Sequence, residues 1–249
     1  MNSFANIKTI AKRELSGYFG SPVAYVFIVI FLLLTGFFTF SRTGAFFERG
    51  QASLEAPFFM WHPWLYLFLV PAVGMRLWAE ERRVGTLELL LTMPVTAWQA
   101  IVGKFAASWL FLGLALLLTF PVVVTVNYLG SPDNGVIFTA YAGSFLMAGA
   151  YLAISCMTSA MTRNQVVSFI VSVVLCLFLV LCGFSPVTNL LSHLDKPWLV
   201  NLVASFSVMT HFNSFSKGLF DSRDVIFFLS VIGFSLFTTG VILRSHRSG

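Results

Sequence analysis

Long stretches without an ionisable side chain constrain this chain more than any other feature. Between consecutive Asp, Glu, Lys or Arg residues lie uncharged windows at 15–41, 56–75, 105–132, 134–162, 164–194, 197–216 and 225–243. A helix that crosses the hydrocarbon of a bilayer needs about 20 mostly apolar residues. In the first window, thirteen residues between Val23 and Phe40 are Val, Ile, Leu or Phe. At roughly −0.3 to −0.6 kcal/mol each they favour insertion by about 4 to 8 kcal/mol, and one central Arg would offset about 3 kcal/mol of that. Charges accordingly sit at the window edges. The pattern places spans near 22–41, 57–78, 105–129, 136–161, 165–186 and 224–243. It describes an all-α polytopic membrane protein with six transmembrane helices, residues 1–249 forming a single transmembrane domain.

Window 197–216 is the exception. It carries Asn201, Ser205, Ser207, Thr210, His211, Asn213 and Ser214, which a lipid-exposed span would leave without partners. One or two short interfacial or re-entrant helices suit it better, within an outer segment covering 187–223. Only 10% of the chain is charged, against about 25% in an average soluble domain. That argues against a soluble enzyme or a nucleic-acid module, and the 57% of apolar residues argues against a disordered chain.

The net charge of +5 reports orientation. Six spans put Lys8, Lys12, Arg13, Arg76, Arg82, Arg83, Lys104, Arg163, Arg244 and Arg247 on one face, and the other five basic residues on the opposite one. Both termini are therefore expected in the cytoplasm of a bacterial inner membrane. The first hydrophobic run is longer than a signal-peptide core and lacks an A-x-A-like site, so it reads as a retained span. Cys156, Cys176 and Cys182 fall inside spans and match no metal or redox spacing.

Ahead of the first span, Phe4, Ile7, Ala11, Leu15 and Tyr18 recur at helical intervals. This predicts an amphipathic helix within 1–21 lying on the membrane surface, broken by Gly17, Gly20 and Pro22. Between spans two and three, the segment 79–104 holds six of the 25 charges: Glu80, Glu81, Arg82, Arg83, Glu88 and Lys104. Gly85-Thr86 reads as a breaker followed by an N-cap. Leu87 to Leu91 is then too short to span and ends at Pro94. Thr96-x-x-Gln99 is a capping-box signature. The segment is a short capped cytoplasmic helix between two breaks, either an interfacial linker or a grip for a soluble partner.

Glu81, Arg83, Gly85, Thr86, Glu88, Leu90, Pro94 and Gly103 together resemble the signature of ABC-2 type transporter permeases. An amphipathic elbow helix, six spans and a broken outer segment before the last span are typical of that family too. The run from His211 to Val225 resembles its gliding-motility GldF-like branch, with a NosY-like permease as the alternative. The resemblance implies a non-catalytic permease subunit of an exporter, with ATP and Mg on a partner ATPase subunit. It further implies a second permease subunit, identical or paralogous, and a GldG-like auxiliary membrane subunit. The ATPase-coupling residues it marks are Glu81, Arg82, Arg83, Gly85, Thr86, Glu88 and Pro94. Glu81 and Arg83 would hold the coupling loop by ion pairs, Gly85 and Thr86 would set its geometry, and Glu88 would face the ATPase.

An energy source is missing from the chain itself. Gly103-Lys104-Phe105 is not a P-loop, and no ionisable residue lies mid-span, as it would in an ion-coupled carrier. An ATPase-independent channel or secondary carrier is the weaker alternative. No catalytic, cofactor-binding or metal site is expected. His62, His193 and His211 read as headgroup-level polar residues, Trp61, Trp64, Tyr66 and Trp198 as interface anchors. Arg76 is expected to snorkel. The small residues of span four, Gly149 and Ala153 among them, suit close helix packing. Pro71 and Pro121 are candidate kinks.

Overall fold

The structure is a computed structural model that describes residues 3–41, 46, 53–86, 96–184, 186–187, 189 and 197–245. Among these residues there is no strand. The helices are α1 (Ser3–Phe19), α2 (Pro22–Phe40), α3 (His62–Gly74), α4 (Arg76–Val84), α5 (Ala97–Leu117), α6 (Phe120–Leu129), α7 (Asn134–Met161), α8 (Gln165–Leu181), α9 (Pro197–Ser205), α10 (Val208–Ser216) and α11 (Ser222–Ser245). Four rods among them are long and apolar enough to cross a membrane: α2, the α5–α6 pair, α7 and α11. The chain is a multi-pass membrane protein. As a single helix α8 has 17 residues, and the α3–α4 rod is interrupted at Met75.

Local chemistry explains where these helices start. Ser21 caps α2 by accepting from the Val23 N–H, with Pro22 at the first helical position. The Asp133 carboxylate accepts from the Gly135 N–H at 2.8 Å to open α7. Asn164 does the same for α8 through Val166 at 2.9 Å. The Thr96–Gln99 capping box forms in both directions. That cap starts the third rod at Ala97, eight residues before the charge-free window. Lys104 is tolerated inside the helix because it is paired there, as described below.

α7 is the centre. α11, α3, α8, α10, α5 and α4 all pack on it, and 67% of its most apolar stretch is buried, against 28–39% in the other three long rods. Its small residues make this possible. A side chain at Gly149 would meet the Trp109 indole, which lies flat on Phe145 at 4.5 Å and donates its N–H to the Phe145 carbonyl at 2.9 Å. The small-residue face of α7 is thus filled from within the chain.

The two prolines act differently. Pro121 sits in the first turn of α6, so the third rod breaks at Leu118–Thr119 rather than kinking. The Thr119 hydroxyl donates to the Leu116 carbonyl at 2.6 Å and lies 2.7 Å from the Tyr141 hydroxyl. α3 runs through Pro71 and ends three residues later.

Aromatic and histidine placement corrects part of the sequence reading. His62 is fully buried, not at headgroup level. Its Nδ1 lies 3.0 Å from the Ser144 hydroxyl, which also contacts the Tyr66 hydroxyl at 2.9 Å. Tyr66 therefore points inward and is no interface anchor. Trp61 stacks on Phe38 and Trp64 meets Phe184 edge-on, while Trp198 is exposed. His193 lies outside the described residues. The polar stretch 197–216 folds as two nine-residue helices, α9 and α10. His211 of α10 reaches Asp224 of α11 at 2.6 Å.

Candidate coupling site

α4 is nine residues long and carries the densest charge of the described chain. Leu77, Trp78 and Ala79 are buried, so one face of α4 is committed to the bundle. The helix begins where α3 is interrupted, and α7 supplies the missing cap. The Ser159 hydroxyl accepts from the Trp78 and Ala79 N–H groups, each at 3.0 Å, and donates to the Met75 carbonyl at 2.8 Å. These satisfy backbone groups that a helix junction would otherwise leave bare in the interior. Trp78 further directs its indole N–H at the Cys156 sulfur, 3.2 Å away.

Beside Trp78 lies a buried ion cluster. Lys104 Nζ of α5 donates to Glu81 Oε1 of α4 at 2.8 Å and to Glu14 Oε1 of α1 at 3.1 Å. The Lys104 side chain is only 5% exposed, and its ammonium lies 5.6 Å from the centre of the Trp78 ring. Burial alone would raise the Glu14 carboxyl. The Lys104 ammonium, with Arg13, outweighs that and holds it below the ordinary value of 4.5. A lysine withdrawn from water is stable only when paired and hydrogen-bonded. Here two acids on separate helices meet that need and fasten α1, α4 and α5 at one point.

α1 reaches the cluster by running along α5. The contact extends from Asn6, whose amide donates to Gln99 at 3.4 Å, to Tyr18, whose hydroxyl lies 2.9 Å from that of Ser108. Gly103 permits the approach, since a Cβ there would come within 2.8 Å of the Ile10 side chain. The half-buried stripe of α1 includes Ile10 and Glu14 and leaves Phe4 exposed at 78%. Ile7, Ala11, Leu15 and Tyr18 of the expected stripe lie on that same half-buried face, and Phe4 alone departs from it.

Arg82, half-buried, donates from its guanidinium to the Ala160 carbonyl at the end of α7. Above it, Gly85 closes α4 with φ of +80°, and its N–H donates to the Glu81 carbonyl. That left-handed geometry favours glycine. The Thr86 hydroxyl also donates to the Glu81 carbonyl, at 3.4 Å. It thus tightens the end of α4, while the residues it would cap lie outside the described ones. Arg83 is exposed and makes no ion pair among the described residues. Glu81, expected with Arg83 to hold the coupling loop by ion pairs, is paired with Lys104. Glu88 and Pro94 lie outside the described residues.

Behind the junction, hydroxyls form a dry seam between α7 and α8. Ser172 donates to Ser155 at 3.2 Å, Thr158 bonds Ser172, and Ser155 contacts the Pro71 carbonyl at 3.4 Å. Sequence reading placed Lys104 in the charged segment 79–104 but did not single out Glu14 or Ser159 as functional. No cluster suited to a metal ion exists among the described residues. The arrangement joins four helices, so displacement of α4 acts on α1, α5 and α7 together.

A family model described as ABC-2 family transporter protein matches residues 55–220. No curated protein matches the chain.

Proposed function

The chain belongs to the ABC-2 transporter family, and from that premise we propose that it is the permease subunit of an ATP-driven exporter of the GldF-like branch. Permeases of this family partner with ATPase subunits, and we assign ATP and Mg to such a partner. Six spans, formed by α2, α3–α4, α5–α6, α7, α8 and α11, lie in the inner membrane with both termini in the cytoplasm. Two permeases, identical or paralogous, enclose the pathway, with a GldG-like auxiliary subunit alongside.

The segment from α4 to Thr96 is the coupling element in this reading. Glu81, Arg82, Gly85 and Thr86 set its root, and Arg83, Glu88 and Pro94 belong to the ATPase-facing part. The observation that carries it is the Glu14–Lys104–Glu81 cluster directly below the Gly85 turn. A push on the segment is passed to α1 and α5 by ion pairs and to α7 by Arg82 and Ser159. Arg83, exposed and without an ion-pair partner among the described residues, is left for an acidic surface on the ATPase.

The test replaces Arg83 and Glu88 separately by Ala in the assembled complex. The expected outcome is a folded permease that loses ATPase co-purification and transport-coupled ATP hydrolysis. Unchanged coupling in both variants would overturn the assignment.

A further inference from the structure

A cleft of about 580 Å³ opens between α1, α2, α3 and α4, within the size range of small-molecule sites. Its two ends differ. The apolar end is walled by Val26, Phe27 and Ile30 of α2 and by Leu69 and Val73 of α3. Val26 and Ile30 are 55% and 41% exposed, so this wall opens sideways toward the surrounding lipid. The polar end is formed by Arg76, Glu80 and Glu81, with Lys104 and Glu14 behind.

Two atoms of that polar end are buried and have no hydrogen-bond partner: Arg76 Nε, a donor, and Glu81 Oε2, an acceptor. Arg76 makes no ion pair among the described residues although three acids share its cleft. Buried polar atoms of this kind are rarely left bare. The missing partners are of opposite type, an oxyanion for the guanidinium and an N–H cation for the carboxylate. With Glu14, Glu80 and Glu81 against Arg76 and Lys104, the rim is acidic by one charge, which disfavours a purely anionic headgroup.

We propose that this cleft binds a zwitterionic phospholipid with a primary ammonium, phosphatidylethanolamine. Its phosphate sits on Arg76, its ammonium donates to Glu81 Oε2, and an acyl chain lies between α2 and α3. A quaternary ammonium has no N–H to give Glu81. An anionic headgroup lacks the cation altogether. The lipid thereby bears on α4 beside the ion cluster, and the site stands whether or not an ATPase drives the chain.

Native mass spectrometry of the full-length chain, offered equal amounts of phosphatidylethanolamine, phosphatidylcholine and phosphatidylglycerol in mixed micelles, tests the proposal. Retention of phosphatidylethanolamine about tenfold above the other two is expected, the scale of one charge-assisted hydrogen bond. Arg76→Gln should abolish that preference, and Arg76→Lys should keep part of it. Val26→Trp, on the exposed wall where folding is not at risk, should expel the lipid by filling the cleft. Equal retention of the three lipids, a preference for phosphatidylglycerol, or wild-type retention by both Arg76→Gln and Val26→Trp would each overturn it. None of these readouts involves ATP, so failure of the coupling assignment is separately visible.

Discussion

Where α4 leaves the bundle, Lys104, Glu14, Arg82 and Ser159 hold α1, α4, α5 and α7 by directional bonds. At the opposite end, Phe31, Phe58, Phe59 and Tyr66 close around His62 by ring packing, with centroids 4.6–6.3 Å from the imidazole. Ring pairs contribute about 0.5–1.5 kcal/mol each and tolerate sliding. An ion pair removed from water tolerates little displacement, because separation leaves a bare charge in a poor solvent. The charged end is thus held by bonds that fix position, and the aromatic end by contacts that allow sliding.

The contrast can be broken most severely at Lys104. Lys104→Met leaves two carboxylates facing each other in a buried site, at a cost of about 3–5 kcal/mol. Thermal unfolding in detergent should show it, and adding Glu14→Gln and Glu81→Gln should recover much of the loss. If the triple variant is no better than the single, the cluster is not what fastens this end. Next in size, Gly103→Val drives a side chain into Ile10 and costs about 1–3 kcal/mol as α1 is displaced. Faster proteolysis within α1, with the rest of the chain intact, is the corresponding signal. Gly85→Ala imposes a left-handed conformation on a residue with a Cβ, for about 1 kcal/mol. Among the described residues no atom beyond its chain neighbours lies within 4 Å of that Cβ, so space is not the issue there.

Acid offers a milder way to loosen the same end. Glu14 titrates below its ordinary 4.5, so the folded state holds its proton less tightly than the unfolded one. Its contribution is complete above 4.5 and fades as the pH falls through the lower folded value. Acid should therefore speed hydrogen exchange in α1 before it does so in α7, and Glu14→Gln should remove that difference. The smallest effect belongs to the aromatic end. His62→Phe removes the contact to Ser144 but also a buried, unpartnered Nε2, and Ser144 keeps Tyr66. The change should stay within about 1 kcal/mol. A large loss would show that the aromatic end also depends on polar bonding.

Charge-free windows located the long helices well because apolar length is a requirement of the bilayer itself. They failed at Lys104, where the rule reads a charge as a boundary and cannot see two acids, 23 and 90 residues earlier in sequence, that neutralise it. His62 and Tyr66 were misplaced for a related reason. Polar residues near a span end suit the headgroup region and the bundle interior equally, and only Ser144 on a distant helix decides between them. Thr96 and Gln99 were legible because a capping box is a local bond pattern. Glu81 was legible as important, through the resemblance, but its partner was not.

The burial of α7 has a consequence for how the chain is made. The helix with the most protein around it is also the least apolar of the four long rods, its face taken up by Gly149, Ser155, Thr158 and Ser159. Lipid would solvate those hydroxyls and that groove poorly. α7 is therefore the helix least able to wait alone in the bilayer during synthesis. Its stable residence depends on α3 and α5, already made, and on α8 and α11, still to come.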